Sequence, residues 1–185
     1  HAKPEERDLI GRILRRRVTR TISGVTIVAV MTKPYECPGK CIYCPGPDSQ
    51  PGEKVAQSYT GREPAAMRSA MYKYDAYEQT IHRLEDQAAI GHEIDKIELI
   101  IMGGTFLYTP FEYQVSFMHG CFDAIINFGL PAYNHHKRTK DLNDAKKSLE
   151  TSEIRLIGVT FETRPDYCTE QYVDQMLEYG EIGRA

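Results

Sequence analysis

The sequence predicts an α/β fold, in the form of a partial (β/α) barrel with parallel strands. Segments with strand and helix character alternate along the chain, and the strand segments are almost continuously apolar. Such strands are typical of a parallel sheet that helices cover. The 185 residues provide three or four β/α units, which are too few to close an eight-fold barrel. We therefore expect an incomplete barrel in this chain.

Three short apolar runs carry the strand prediction. The first, 25–31, is rich in β-branched residues, and the other two cover 97–102 and 154–161. A loop dense in proline, glycine and polar residues covers 32–64, and loops of that length within a compact domain are usually functional. Because the carboxyl ends of parallel strands meet at one edge of a sheet, we expect the functional residues there.

Helical periodicity predicts four helices between and after the strands. One long helix is expected over 65–88 and ends at Gly91, and another begins at Thr109, the predicted N-cap before an N1 proline. A weaker helix is predicted over 141–149. The last helix, capped by Thr169, is expected to turn four apolar side chains inward: Tyr172, Val173, Met176 and Leu177.

The composition is that of a globular protein without a membrane-spanning or secretory segment. Hydrophobic residues make up 41% of the chain and charged residues 26%, and every apolar run is too short to cross a bilayer. The net charge of −3 means that any contact with nucleic acid must come from a local patch. Five cysteines, three of them close together, favour metal binding in a reducing, cytoplasmic environment over disulfides.

The strongest functional signal is the C-x3-C-x2-C motif formed by Cys37, Cys41 and Cys44. Three thiolates suit an iron–sulfur cluster, and a [4Fe-4S] cluster held by three cysteines keeps one iron open for a ligand. The motif resembles that of radical S-adenosylmethionine (SAM) enzymes, in which the open iron binds SAM.

The alternative is a zinc knuckle that lacks one ligand in this window. No histidine lies between residues 2 and 81, so the fourth zinc ligand would have to come from a distant segment. The remaining cysteines, Cys121 and Cys168, lie within or beside helical segments and are predicted to be packing residues.

Two further groups of residues follow strands and are candidates for binding SAM. Gly103, Gly104 and Thr105 come directly after the second strand, where glycines let a ligand approach the backbone. Glu162 and Arg164 follow the third strand and can bind ribose or carboxylate groups. The alternatives are a plain tight turn for the first group and a salt bridge or helix cap for the second.

A basic patch precedes the first strand and consists of Arg12, Arg15, Arg16, Arg17 and Arg20. Clustered arginines neutralise phosphates, so residues 1–24 are predicted to form a basic RNA-binding segment. The alternative is a solvated, charged helix. Residues 25–185 are then the predicted catalytic domain.

Five stretches of the chain resemble the catalytic subunit of Elongator, a family of eukaryotes, archaea and some bacteria. They are Arg20–Lys33, Cys41–Gly46, Gln57–Pro64, Ile100–Phe106 and Phe161–Cys168. The resemblance implies a partial (β/α) radical SAM barrel, incomplete here, with the family's C-terminal acetyltransferase domain absent from 25–185. It also implies a [4Fe-4S] cluster and SAM as cofactors, with the aromatic Tyr43 near the adenine.

The resemblance implies a tRNA-modifying enzyme that forms 5-carboxymethyluridine at the wobble position from acetyl-CoA and SAM. A radical taken from the acetyl methyl group would add to C5 of the uracil, and a flipped anticodon base is a usual target of RNA enzymes. Lys96 matches a position that contacts acetyl-CoA. The implied partners are the tRNA anticodon stem-loop, acetyl-CoA and, in eukaryotes, other Elongator subunits.

The chain departs from the family pattern in the cysteine loop. The gap between Cys37 and Cys41 is shorter than usual, and the family's Cys-Pro-Gly-Gly-Pro is here Cys44–Pro47. Two other functions stay open: a non-catalytic tRNA-binding module with a structural zinc or iron–sulfur site, and a protein lysine acetyltransferase subunit.

Overall fold

The computed structural model describes residues 22–46, 54–128, 130 and 137–180, together with positions 6, 9, 10 and 13. Within this part of the chain, three strands form one parallel sheet in sequence order. They are β1 (Val25–Met31), β2 (Lys96–Met102) and β3 (Arg155–Phe161). The sequence predicted each strand to within one residue at either end, and the open parallel sheet confirms the expected α/β fold.

In the described ranges from residue 22 onward, five helices connect or follow the strands. They are α1 (Pro64–Met71), α2 (Ala76–Ala89), α3 (Phe111–Asn127), α4 (Leu142–Glu150) and α5 (Glu170–Gly180), with short 3-10 turns at Phe106–Tyr108 and Pro165–Tyr167.

The prediction of one long helix over 65–88 is wrong, because the chain breaks between α1 and α2. Lys73 and Tyr74 adopt left-handed backbone angles, with φ of 52° and 58°, which no helix can continue through. Asp75 then caps α2 by accepting a hydrogen bond from the Glu78 backbone N–H at 2.9 Å. Gly91 follows α2 with a φ of 86°, as predicted for a helix end.

The predicted N-cap of α3 is also wrong by one residue. Pro110, not Thr109, occupies the N-cap position, and no side chain caps this helix end. The Thr109 hydroxyl instead donates to the carbonyl of Phe106 at 2.8 Å and closes the preceding 3-10 turn. The weaker helix over 141–149 is confirmed as α4, with Asp141 accepting from the Asp144 N–H at 2.9 Å.

The main core lies between the sheet and the helices on one of its faces. Val28 and Val30 of β1 and Leu99 of β2 are fully buried in this core, together with Met118 and Phe122 of α3. Of the four α5 residues predicted to face inward, Tyr172 and Met176 pack against this core. Val173 and Leu177 are 37% and 57% exposed, so for them the prediction is wrong.

A buried glutamine holds the end of β1, where the cysteine loop begins. Gln79 of α2 accepts from the Met31 N–H at 2.8 Å and donates to the Met31 carbonyl at 3.0 Å. Ser69 of α1 donates to the same amide oxygen at 2.6 Å. Gln79 therefore satisfies the backbone groups of Met31 along the edge of β1 that no described strand pairs.

None of the helices in the described ranges is long and apolar enough to span a bilayer.

Candidate functional site

The carboxyl ends of the three strands deliver three loops to one edge of the sheet. The cysteine loop follows β1, the Gly103 turn follows β2, and the segment that begins with Glu162 follows β3. Backbone hydrogen bonds keep the loop starts in register, with the Thr32 N–H bonded to the Met102 carbonyl at 3.0 Å and the Glu162 N–H to the Ile101 carbonyl at 2.9 Å. The three loops therefore meet at the edge of the sheet where the sequence analysis places the candidate residues.

A cavity of about 200 Å³ lies where these loops meet. Seven of the predicted site residues line it: Cys37, Cys41, Tyr43, Cys44, Gly104, Thr105 and Arg164. Two more, Gly103 and Glu162, lie beside it and are bonded to each other, since the Gly103 N–H donates to Glu162 Oε2 at 3.2 Å. Tertiary structure thus brings together nine residues that are spread over more than 120 positions of the sequence.

All three cavity cysteines are free and half-buried. Each sulfur contacts one polar side chain, and sulfur is a weak hydrogen-bonding partner in each case. The contacts are Cys37 Sγ with Thr105 Oγ1 at 3.7 Å, Cys44 Sγ with Gln57 Oε1 at 3.4 Å, and Cys41 Sγ with Arg164 Nη1 at 3.3 Å.

The donor set fits an iron–sulfur cluster in kind, because three unoxidised thiols line one cavity. Within the ranges that the structure describes, however, no group of three or more histidine, cysteine, aspartate or glutamate side chains is arranged around a single metal position. The three sulfurs instead face three separate partners. Binding a cluster would therefore require the cysteine side chains to exchange these contacts for iron.

Arg164 holds the cysteine loop against the segment after β3. Its Nε and Nη2 donate to the two carboxylate oxygens of Asp166, each at 2.9 Å, while Nη1 faces Cys41. The pKa of Arg164 is raised above its usual value, mainly by the hydrogen bonds to Asp166. The guanidinium therefore keeps its charge beside the sulfur of Cys41.

Gly39 makes room for this guanidinium, a role that the sequence did not reveal. A Cβ added at Gly39 would lie 1.2 Å from Arg164 Nη1 and 2.2 Å from its Cζ. Only a residue without a side chain allows the arginine to lie directly on the loop backbone.

The Gly103 turn requires glycine at two successive positions. Gly103 and Gly104 have φ angles of 129° and 93°, which residues with a side chain rarely adopt. A Cβ at Gly103 would lie 2.1 Å from Thr32 Oγ1, and one at Gly104 would lie 2.8 Å from Gln57 Cβ. The turn therefore packs tightly against the segments that follow β1, which explains the two glycines without any ligand.

Glu162 joins two loops through its carboxylate. The Tyr59 hydroxyl donates a short hydrogen bond to Oε1, while Oε2 accepts from the Gly103 N–H. Burial, followed by this hydrogen bond to Glu162, raises the pKa of Tyr59 far above its ordinary value, so the phenol stays a proton donor. Sequence reasoning missed Tyr59, although it lies within Gln57–Pro64, one of the stretches that resemble Elongator.

The root of the cysteine loop is anchored to α3. The Lys33 N–H donates to the Tyr113 hydroxyl at 3.0 Å, and Lys33 Nζ lies 4.8 Å and 5.0 Å from the ring centres of Tyr113 and Tyr35. The tip differs, because Ile42 is fully exposed and Tyr43 is 86% exposed. Tyr43 lines the cavity, but most of its side chain is exposed to solvent.

Lys96 does not lie at this site. It begins β2, at the opposite edge of the sheet, and the six-residue rise of the strand separates it from Met102 by roughly 20 Å. The five predicted RNA-binding arginines, Arg12, Arg15, Arg16, Arg17 and Arg20, fall outside the described residues.

The two cysteines outside the motif behave differently from each other. Cys121 is fully buried in the core, which confirms its predicted packing role. Cys168 is exposed, so the same prediction is wrong for it, because α5 begins only after this residue and turns other side chains to the core.

Known proteins match this chain over almost its whole length. It is 49% identical over 182 residues to a protein of Methanocaldococcus infernus named tRNA uridine(34) acetyltransferase, a match that covers 97% of this chain and 32% of that protein. It is 42% identical over 180 residues to Elongator complex protein 3 of Schizosaccharomyces pombe, covering 94% of this chain and 31% of the relative. No protein-family model matches the chain.

The fold also matches a solved structure, that of the archaeal Methanocaldococcus infernus Elp3 with an N-terminal deletion of residues 1–46. The superposition has a TM-score of 0.59, with 35% of the paired residues identical, and covers 84% of this chain and 26% of that one. The chain thus spans about a third of the length of the relatives that it matches. Over that third, it is a homologue of the tRNA uridine(34) acetyltransferases and of Elongator complex protein 3, as its sequence motifs predicted.

Proposed function

We propose that this chain is the cofactor-binding part of a radical SAM enzyme that forms 5-carboxymethyluridine at the wobble position (U34) of tRNA. The observation that carries the proposal is the cavity in which three free thiols meet the Gly103 turn and Arg164. The names of the homologues, which refer to uridine 34 of tRNA and to Elongator, support the choice of reaction.

Cys37, Cys41 and Cys44 would hold a [4Fe-4S] cluster, and SAM would bind next to it. Such a cluster, when bound, supplies one-electron chemistry that protein side chains cannot perform. Arg164 places a positive charge 3.3 Å from Cys41 Sγ, where it would offset part of the negative charge of a cysteine-bound cluster. The same charge attracts a carboxylate of the cofactor.

The Gly103 turn and the exposed aromatic of the cysteine loop supply the remaining cofactor contacts. Gly104 lines the cavity, so its backbone would be among the groups that a bound ligand contacts. Thr105 offers a hydroxyl on the same wall, and Tyr43 offers an aromatic face at the cavity mouth. We propose Tyr43, Gly103, Gly104 and Thr105 as SAM contacts, together with Arg164.

The tRNA and acetyl-CoA are the proposed substrates. The term acetyltransferase in the names of the archaeal relatives supports acetyl-CoA as the acyl donor. The arginines between Arg12 and Arg20 would bind the anticodon stem-loop through its phosphates. Lys96 would contact acetyl-CoA at the opposite edge of the sheet, away from the cysteine cavity. In eukaryotic relatives, other Elongator subunits are proposed partners, and the reaction belongs to the cytoplasm.

Anaerobic reconstitution tests the proposal. We expect the chain to take up roughly four irons and to cleave SAM to 5′-deoxyadenosine, faster with tRNA present. Nucleoside analysis of tRNA incubated with the reduced protein, SAM and acetyl-CoA then reports the carboxymethyl product. Bound zinc without any SAM cleavage would instead support a non-catalytic RNA-binding module.

A further inference from the structure

We infer that Glu162 is a positioning residue that clamps two loops together, and that Tyr59 is its partner in this clamp. The inference rests on the proposed function in one respect: the clamped loops form the wall against which SAM would bind. Glu162 follows β3 and was assigned to SAM from the sequence as a direct contact. In the structure, its carboxylate instead bonds to two other segments of the protein.

Both oxygens of the Glu162 carboxylate are engaged inside the protein. Oε1 accepts from the Tyr59 hydroxyl, and Oε2 accepts from the Gly103 N–H at 3.2 Å. Hydrogen bonds to an ionised carboxylate are among the stronger ones in proteins. The Glu162 backbone is fixed as well, since its N–H bonds to the Ile101 carbonyl at 2.9 Å.

Tyr59 links this carboxylate to the part of the cysteine loop that contacts Cys44. Its own N–H bonds to the carbonyl of Ala56 at 3.2 Å, which closes a turn around Gln57. Gln57 in turn contacts Cys44 and lies against Gly104. A rigid Tyr59 therefore fixes one partner of a cluster-binding cysteine and one wall of the cavity at once.

The Gly103 side of the clamp matters for a separate reason. Gly103 has a φ of 129°, a conformation available to glycine but not favoured over its alternatives. The hydrogen bond from its N–H to Glu162 selects this conformation. The clamp thus sets the path of the backbone into Gly104 and Thr105, which line the cavity.

Two substitutions separate a clamp from a direct ligand contact. Tyr59→Phe removes the hydroxyl and leaves the Glu162 carboxylate in place, while Glu162→Gln removes the charge. If Glu162 acts as a clamp, both variants weaken SAM binding to the reconstituted protein by a similar factor, roughly tenfold. The double variant should then bind no more than about threefold worse than Glu162→Gln, because both changes break one unit.

A direct contact gives a different result and would overturn the inference. In that case Glu162→Gln loses SAM binding by roughly a hundredfold or more, and Tyr59→Phe binds like the unaltered protein. Tyr108→Phe is the matched control, since Tyr108 is 45% exposed in the 3-10 turn that follows Gly104 and Thr105. It should bind SAM like the unaltered chain.

Amide hydrogen exchange without any cofactor provides a second, independent readout. We expect exchange in residues 57–60 to accelerate at least roughly tenfold in both variants, and at the Gly103 amide in Glu162→Gln. Unchanged exchange in these amides overturns the clamp. If the unaltered chain binds no SAM at all, the proposed function fails, but the exchange result still decides whether the clamp exists.

Discussion

Two sides of the same cavity are built in different ways. On one side, the Glu162 carboxylate accepts two hydrogen bonds, one from the Tyr59 hydroxyl and one from the Gly103 backbone N–H. On the other side, the side chains of the three cysteines contact their partners through sulfur, at 3.3 to 3.7 Å. Ile42 and Tyr43, between the last two cysteines, are almost fully exposed.

The difference shows which side of the cavity is already stabilised by hydrogen bonds before any ligand binds. The clamp side has its final contacts without a ligand, because carboxylate and amide groups satisfy one another. The cysteine side has an anchored root at Thr32 and Lys33 but only weak contacts at its sulfurs. We therefore expect ligand binding to order the cysteine side and to leave the clamp side nearly unchanged, as is typical where metal binding is coupled to local folding.

The largest effect is expected from removing a single thiol. Cys37→Ser, Cys41→Ser or Cys44→Ser should abolish iron uptake and SAM cleavage, because a hydroxyl is a poor ligand for iron–sulfur centres. Iron per chain after anaerobic reconstitution measures the outcome. Cys168→Ser is the matched control and should retain full uptake, since Cys168 is exposed and lies outside the cavity lining. Full uptake in a Cys41→Ser protein would contradict the assignment.

The next largest effect concerns the strand end from which the cysteine loop starts. Gln79→Ala should lower the free energy of unfolding by about 3 kcal/mol, because it leaves the buried N–H and carbonyl of Met31 without partners. Urea denaturation measures this loss. Gln171→Ala on the exposed face of α5 should change stability by less than about 0.5 kcal/mol. Equal effects of the two substitutions would show that Gln79 does not anchor β1.

A pair of glycines tests the clamp side by itself. Gly103→Ala should destabilise the protein by about 2 kcal/mol, because the new Cβ meets the buried Thr32 at a strained backbone angle. Gly158→Ala in β3 is the control, since nothing lies within 4 Å of its added Cβ. Thermal and urea unfolding should show a normal protein for Gly158→Ala. A Gly103→Ala protein of full stability would mean that the turn can relax.

The smallest expected effect is on the pH dependence of stability, and it comes from Cys121, which lies in the core and not in the cavity. Burial raises the pKa of Cys121 to about 12 from an ordinary 9.0. Between these values the unfolded chain loses this proton and the folded chain keeps it, so stability falls as the pH rises. The contribution amounts to about 1 kcal/mol between pH 9 and 10. Urea unfolding of Cys121→Ala at both pH values should show a correspondingly smaller decrease than the unaltered protein.

Sequence reasoning predicted the strands well and one helix poorly. Short apolar runs rich in β-branched residues were enough to predict β1 and β3, since that pattern is typical of strands. The strands are not buried along their whole length, because Ile27 and Ile157 are 51% and 48% exposed. The break between α1 and α2 was missed because apolar spacing continues across it. Lys73 and Tyr74 carry no residue-level sign of a left-handed conformation, which is more typical of glycine or asparagine.

The sequence by itself determined the order of strands and helices, the cysteine motif and the glycine pair after β2. Each of these features depends on residues that are close together in the sequence, so local spacing is enough to predict it. Only the tertiary structure decided that Gly39 lies under Arg164, that Tyr59 bonds to Glu162 and that Gln79 holds Met31. These partners lie between 48 and 125 residues apart in the chain. Their pairing depends on how helices and loops pack around the sheet, which no local pattern specifies.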